Sequence, residues 1–192
     1  MKKVFIAIDT TDLKKAKKII AQSQTNKIKV GYKFGLEFLY TKNGRNFVSK
    51  IKGKNIFLDY KISDIPTTSS AAINSLRDLK NVSYITVHVS SGYECLKLIK
   101  KTAKKINKKL KVLGVTVLTS FSNNSIKKIG HTKSISEIVK KQAALAKSAG
   151  LDGIVCSGHE VKLIKKICGR MEIVTPGIRL KGDNVGDQKR VM

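Results

Sequence analysis

The chain has 192 residues, 41% of them apolar and only two of them proline, which favours one globular domain over a disordered or two-domain protein. Its apolar start breaks at Asp9 and no later run approaches membrane-span length, so we expect a cytoplasmic protein without signal peptide or membrane anchor. The formal net charge of +26 suggests a nucleic-acid partner, but the charge comes mainly from lysines scattered over the helix-like segments, which is typical of solvated surface.

Seven short apolar runs, rich in β-branched residues, recur along the chain. They are VFIAI (4–8), KIKV (27–30), NIFLDY (55–60), YITVHV (84–89), VLGVTVL (112–118), GIVC (153–156) and EIVTP (172–176). Most of them are apolar at consecutive positions, as expected of parallel strands that are covered on both faces.

The segments between these runs have helical spacing. In the first of them Leu13, Ala16 and Ile19 share one face and lysines occupy the other. Asp9, at the preceding strand end, is a suitable N-cap for this helix. Ser134 and Glu137 have the spacing of a capping box at the start of a later helix. The alternation of strand and helix predicts a parallel α/β fold.

Polar residues stand at or just past the end of most predicted strands. They are Asp9, Lys29, Asp59, Lys61, His88, Thr119 and Arg179. In a (β/α)8 TIM barrel these positions converge on one mouth, whereas a doubly wound sheet gathers only some of them. No dinucleotide fingerprint or P-loop is present. We therefore predict one barrel domain over residues 1–192, truncated after the seventh strand because no eighth run follows.

The stretch LDYKISDIPTT, residues 58–68, concentrates charge at one predicted strand end. Asp59 and Lys61 are two apart and point to the same side of a strand, and Asp64 follows in the turn before Pro66. Two carboxylates beside one ammonium keep the lysine charged and orient it, so it can deliver a proton to a carbanion. An ion-pair network without chemistry at the barrel rim explains the spacing equally well.

Cys95, Cys156 and Cys168 are odd in number and widely spaced, which favours reduced thiols over a disulfide framework. Cys156 and His159 are three residues apart, but structural zinc sites bring paired ligands at both ends. We therefore predict no metal site.

The segment FLDYKISDIPTT closely resembles the D-x-K-x-x-D signature of the orotidine 5′-monophosphate decarboxylase family. Six further segments are similar to the strand ends of that family, in the same order: AIDTTD, IKVGYKF, VHVSSG, VTVLTS, GLDGIVCSGHE and TPGIRLKGDNVGDQKRV. The resemblance spans essentially the whole chain. It implies decarboxylation of orotidine 5′-monophosphate to UMP, the last step of pyrimidine nucleotide synthesis, without a cofactor or metal.

The resemblance also implies roles for single residues. Lys61 matches the proton donor to pyrimidine C6, and Asp59 matches the carboxylate that faces the departing CO2. Asp64 matches an aspartate that one subunit of a homodimer lends to its partner's site. The implied substrate-binding residues are Asp9 for the nucleotide, Lys29 for the charged network beside the ribose, Asp59, Ile65 and Thr68 for the pocket, Thr119 for the base, and Arg179 and Gln188 for the phosphate.

One departure and two alternatives stay open. The sequence shows no counterpart of the family's final strand, whose Gly-Arg pair holds the substrate phosphate, so we expect poor stability and little or no decarboxylase activity of residues 1–192 alone. A magnesium-dependent sugar-phosphate decarboxylase or aldolase of the same superfamily shares the charged segment, although DIPTT, LTS and DQKR favour the nucleotide enzyme. A basic nucleic-acid-binding protein on a degenerate barrel predicts binding that falls steeply with salt.

Overall fold

The protein is described by a computed structural model over residues 3–177 and 189–190. Its strands are Lys3–Ala7 (β1), Lys29–Phe34 (β2), Asn55–Ile62 (β3), Val82–His88 (β4), Lys111–Val115 (β5), Gly153–Val155 (β6) and Glu172–Val174 (β7). They form one parallel sheet in the order β1-β2-β3-β4-β5-β6-β7. The seven predicted strands are confirmed, and each pairs with its neighbours in the chain, as strands of a β/α barrel do.

Helices occupy every connection between consecutive strands. They are Leu13–Gln22 (α1), Leu36–Leu39 (α2), Gly44–Ser49 (α3), Pro66–Asn74 (α4), Tyr93–Ile106 (α5), Asn123–Lys128 (α6), Ile135–Ser148 (α7) and Val161–Cys168 (α8). The capping box that Ser134 and Glu137 were predicted to form is present at the start of α7. The N-cap of α1 is Asp12 rather than Asp9, because the Asp12 carboxylate accepts the backbone N–H groups at the helix start.

The sheet is curled, as shown by side chains of distant strands that meet inside it. The rings of Phe5 on β1 and Tyr84 on β4 have centroids 5.2 Å apart, whereas three strand spacings of a flat sheet amount to roughly 14 Å. Phe57 from β3 packs against both rings. Gly31 on β2 makes room for this cluster, since a Cβ there would lie 2.6 Å from a carbon of the Phe5 ring. The interior is therefore filled by side chains, as in a closed barrel.

The alternation of side chains along the strands carries polar groups to one end of this interior. Phe57 points inward, and Asp59, two residues further along β3, points the same way. On β4 the inward positions are Tyr84, Thr86 and His88. The carboxyl ends of β3 and β4 therefore place polar side chains next to each other above the aromatic layer.

A second, larger apolar layer lies between the sheet and the helices, and it includes Ile8, Phe34, Ile85, Leu96 and Ile154, all fully buried. Across residues 3–177 and 189–190, no helix is both long and apolar enough to cross a bilayer.

Candidate active site

Asp59 is the centre of a charged cluster at the carboxyl ends of the strands. The residue is only 9% exposed. Its Oδ2 accepts a hydrogen bond from Lys61 Nζ at 2.9 Å and lies 3.5 Å from Lys33 Nζ. Its Oδ1 accepts a hydrogen bond from the hydroxyl of Thr86 at 2.9 Å. Both oxygens of the carboxylate are thus held by donors from three neighbouring strands.

These donors decide the ionisation state of Asp59. Burial alone raises the pKa of its carboxyl, but the attraction of Lys61 and Lys33 opposes burial, and so do the hydrogen bonds from Lys61 and Thr86. The net effect is a pKa below the ordinary value of 3.8. Asp59 is therefore an anion at neutral pH, although it is nearly buried.

Lys61 reaches Asp59 through an irregularity in β3. Lys61 has φ +49, and it is the one non-glycine residue with positive φ in the described part of the chain. The pairing of β3 with β4 shifts register between Leu58 and Ile62. A left-handed backbone costs roughly 1–3 kcal/mol at a residue other than glycine, and such strain is concentrated at functional sites.

The second lysine of the cluster is Lys33, and Lys29 lies elsewhere. Lys29 begins β2 and pairs with Lys3, at the amino end of the sheet. Lys33 is four residues further on, close to the carboxyl end. Because residues lie about 3.3 Å apart along a strand, Lys29 is separated from the cluster by most of the length of β2.

This placement corrects the expectation for Lys29. The second strand was predicted to end at residue 30, but β2 continues to Phe34, so the strand end had been placed four residues too early. The sequence held a usable signal, because Lys33-Phe34-Gly35 repeats the Lys-x-Gly pattern of Lys29-Val30-Gly31.

Asp9 also joins the cluster, at its outer edge. It follows β1, and its Oδ1 lies 3.7 Å from Lys33 Nζ. The Asp9 side chain is largely exposed, so this ion pair stabilises the fold only weakly. The order Asp9, Lys33, Asp59, Lys61 nevertheless alternates negative and positive charge along one line of contacts.

Asp64, Ile65 and Thr68 are exposed where the chain enters α4. The Asp64 carboxylate accepts the backbone N–H of Ile65 at 2.7 Å. Within the described residues no ammonium group lies at ion-pair distance from Asp64, so Asp59 is the one carboxylate there that pairs with the Lys61 ammonium. Ile65 is 63% exposed, which is unusual for a large apolar side chain.

Thr119 lies in the loop after β5, next to the last described residues. Its carbonyl accepts the backbone N–H groups of Lys189 and Arg190 at 3.0 and 3.2 Å. The predicted phosphate ligands Arg179 and Gln188 lie outside the described residues.

Arg190 anchors this end of the chain, and sequence reasoning missed it. Its guanidinium forms an ion pair with Glu160 and donates to the carbonyls of Val117 and Leu118 at 2.8 and 3.0 Å. Its own carbonyl accepts the hydroxyl of Ser157 at 2.8 Å. Arg190 therefore ties the described segment 189–190 to the loops after β5 and β6.

His88 ends β4 beside the cluster. Burial lowers the pKa of its imidazole, and the nearby Lys61 ammonium lowers it further. The ring is therefore neutral at pH 7.

The described residues contain no group of three or more His, Cys, Asp or Glu side chains that could hold a metal ion. Cys95, Cys156 and Cys168 are buried free thiols, and burial raises the pKa of Cys156 to about 12.

Comparison with known proteins gives a consistent result. Residues 2–192 match the family model described as Orotidine 5'-phosphate decarboxylase / HUMPS family. The orotidine 5′-phosphate decarboxylase of Coxiella burnetii (strain RSA 331 / Henzerling II) is 39% identical over 99% of this chain and 81% of its own length. The enzyme of the same name from Idiomarina loihiensis is 37% identical over 99% of this chain and 82% of its own length.

Solved structures agree with the sequence comparison. The crystal structure of orotidine 5′-phosphate decarboxylase from Lactobacillus acidophilus superposes with a TM-score of 0.84 at 31% identity, covering 93% of this chain and 82% of that one. The Methanocaldococcus jannaschii orotidine 5′-monophosphate decarboxylase complexed with inhibitor BMP gives 0.76 at 26% identity, covering 97% and 83%. The chain belongs to the orotidine 5′-phosphate decarboxylase / HUMPS family.

Proposed function

We propose that the protein decarboxylates orotidine 5′-monophosphate to UMP in pyrimidine biosynthesis. Family membership and the names of relatives at 37–39% identity support this reaction. The observation that carries it is the contact of 2.9 Å between Lys61 Nζ and the buried carboxylate of Asp59 at the carboxyl ends of the strands. In barrel enzymes this end is the catalytic face.

The reaction breaks the bond between pyrimidine C6 and the carboxylate carbon, CO2 leaves, and the electron pair stays on C6. Lys61 then gives a proton from Nζ to C6, and the lysine regains a proton from solvent, to which its side chain is 32% exposed. The anion of Asp59 faces the substrate carboxylate and disfavours it relative to neutral CO2. Because these charges are fixed before the substrate binds, they stabilise the transition state without reorganisation.

We propose that Lys33, and not Lys29, completes the charged network beside the ribose. Lys33 neutralises part of the charge on Asp59 and keeps the carboxylate turned toward Lys61. Its distances of 3.5 Å to Asp59 and 3.7 Å to Asp9 support this role. Without Lys33, Asp59 would face the substrate with less cationic support.

The remaining substrate contacts follow from the family resemblance. Asp9 binds the nucleotide, Ile65 and Thr68 line the pocket, and Thr119 contacts the base. Arg179 and Gln188 bind the phosphate. The proposed reaction takes place in the cytoplasm within one domain, and it uses neither a cofactor nor a metal.

The active form is proposed to be a homodimer in which Asp64 completes the partner's site. The exposure of Asp64, together with its lack of an ammonium partner within the described residues, supports a contact outside the chain. Exposed Ile65 beside it provides apolar surface for such an interface.

The test is turnover of the purified protein with orotidine 5′-monophosphate in the presence of a chelator, followed by the loss of orotate absorbance. We expect UMP to form and the chelator to leave the rate unchanged. Turnover of a sugar phosphate that needs added magnesium, with none of the nucleotide, would contradict the proposal.

A further inference from the structure

We infer that Thr86 is a positioning residue for the reaction, because its one buried hydroxyl fixes both the side chain of Asp59 and the backbone of Lys61. The inference rests on the proposed function, since it assigns a part in decarboxylation to a residue that does not touch the substrate. Thr86 lies on β4, next to β3, and is fully buried.

The direction of the two hydrogen bonds is determined by their chemistry. Thr86 Oγ1 lies 2.9 Å from the backbone nitrogen of Lys61 and 2.9 Å from Asp59 Oδ1. The peptide N–H can only donate, and an ionised carboxylate can only accept. The hydroxyl must therefore accept from Lys61 and donate its single proton to Asp59.

The first of these bonds supports the irregular backbone of Lys61. The ladder between β3 and β4 is interrupted between Leu58 and Ile62, so the Lys61 N–H faces a side-chain oxygen where a regular strand would offer a carbonyl. Lys61 has φ +49 at this point. A hydrogen bond from this N–H holds the lysine in a conformation that its own backbone does not prefer.

The second bond divides the two oxygens of Asp59 between separate tasks. Thr86 occupies Oδ1, which leaves Oδ2 to Lys61 and Lys33. Loss of the hydroxyl would free the carboxylate to rotate about its last torsion, and the Lys61 ammonium would lose its fixed acceptor. Displacement of a catalytic group by 1 Å can lower a rate about 100-fold.

The central experiment compares Thr86→Val with Thr86→Ser. Valine keeps the branched shape and removes the hydroxyl, whereas serine keeps the hydroxyl. We expect Thr86→Val to lower kcat about 100-fold while KM changes less than about 3-fold, and Thr86→Ser to restore kcat to within about 5-fold of the wild type. If the hydroxyl only stabilised the fold, its removal would lower the melting temperature without lowering kcat more than it changes KM.

Thr116→Val is the matched control. Thr116 is also almost fully buried, and its hydroxyl donates to the carbonyl of Val155 at 3.1 Å. The backbone N–H of Thr116 donates to the same carbonyl at 3.1 Å, so the carbonyl keeps a partner in the variant. We expect kcat of Thr116→Val to equal that of the wild type.

A second readout does not depend on activity. The Asp59 carboxyl is titrated by carbon-13 NMR, and its signal is assigned because it is missing from the spectrum of Asp59→Asn. The charged and titratable groups that face it are Lys33 from β2, Lys61 from β3 and His88 from β4. Removal of the Thr86 hydrogen bond should raise the pKa of Asp59 in Thr86→Val and leave it unchanged in Thr86→Ser.

The outcomes separate the two proposals. If neither the wild type nor the variants turn over orotidine 5′-monophosphate but the pKa of Asp59 rises in Thr86→Val, the proposed function fails and the positioning of Asp59 by Thr86 stands. If the wild type is active and folded Thr86→Val keeps kcat within about 3-fold of it, the inference is overturned. Should the valine variant not fold, Thr86→Ala is compared with Thr86→Ser by the same criteria.

Discussion

Asp59 and Lys61 are two residues apart on one strand, yet their charged groups are in direct contact, with 2.9 Å between Oδ2 and Nζ. On a regular strand, residues at this spacing point to the same face, and their Cα atoms lie roughly 7 Å apart. The left-handed backbone of Lys61 bends the chain at this point. The strain of one residue thus brings the proposed proton donor onto the proposed anion.

The first prediction distinguishes the two lysines of β2. Lys33→Ala removes an ammonium 3.5 Å from Asp59 Oδ2, and we expect kcat/KM to fall about 100-fold or more because a preorganised charge is lost. Lys29→Ala removes an equal charge from the amino end of the same strand and should change kcat/KM less than about 2-fold. Equal losses in steady-state kinetics of the two variants would show that the cluster has been assigned to the wrong lysine.

The second prediction concerns acid stability. Folding lowers the pKa of Asp59 below 3.8, so ionised Asp59 stabilises the folded state above that pH, and this contribution is lost as the pH falls through the folded pKa. Asp59→Asn cannot ionise and lacks this dependence. As the pH is lowered from about 5 to 2, the free energy of unfolding of the wild type should therefore fall relative to that of Asp59→Asn, as measured by urea unfolding. A stability difference that stays constant over this range would contradict the pKa assignment.

The third prediction tests the anchor formed by Arg190. Arg190→Met leaves Glu160 as an unpaired carboxylate whose side chain is only 8% exposed, and we expect a loss of about 3–5 kcal/mol in the free energy of unfolding. Arg45→Met breaks the ion pair with Asp78, whose side chains are 42% and 62% exposed, and should cost less than about 1 kcal/mol. Urea unfolding curves of the two variants make the comparison, and similar losses would mean that Arg190 does not anchor the loops.

The fourth prediction tests the sharing of Asp64 between subunits. Lys61→Ala and Asp64→Ala should each be inactive as homodimers. In a mixed dimer one site carries both substitutions and the other carries neither, so an equal mixture should regain about a quarter of wild-type activity. Mixtures that stay inactive after subunit exchange, confirmed by mass spectrometry, would place Asp64 and Lys61 in the same subunit's site.

Sequence reasoning succeeded where the signal is local. The apolar runs predicted all seven strands, and the capping box of α7 depends only on Ser134 and Glu137, three residues apart. The placement of Asp59 and Lys61 on the same face was predictable from alternation along one strand, whereas the left-handed backbone of Lys61 was not.

Sequence reasoning failed where the signal depends on the register between strands. Lys33 was missed because the end of β2 was misplaced by four residues, which moved the expected lysine to the wrong end of the sheet. Thr86 lies within YITVHV, where a threonine looks like any other β-branched strand residue. Arg190 pairs with Glu160 across 30 residues of sequence, and no local pattern indicates such a partner.

The part played by Lys61 is tested most directly by the release of CO2 from carboxyl-labelled orotidine 5′-monophosphate by the wild type and by Lys61→Ala in single-turnover experiments. We expect release by the wild type and a rate lower by roughly 1,000-fold or more in the variant, because the ammonium that stabilises the developing charge on C6 and then protonates it is absent. Release by the variant at the wild-type rate would show that Lys61, held by Asp59, does not carry the chemistry.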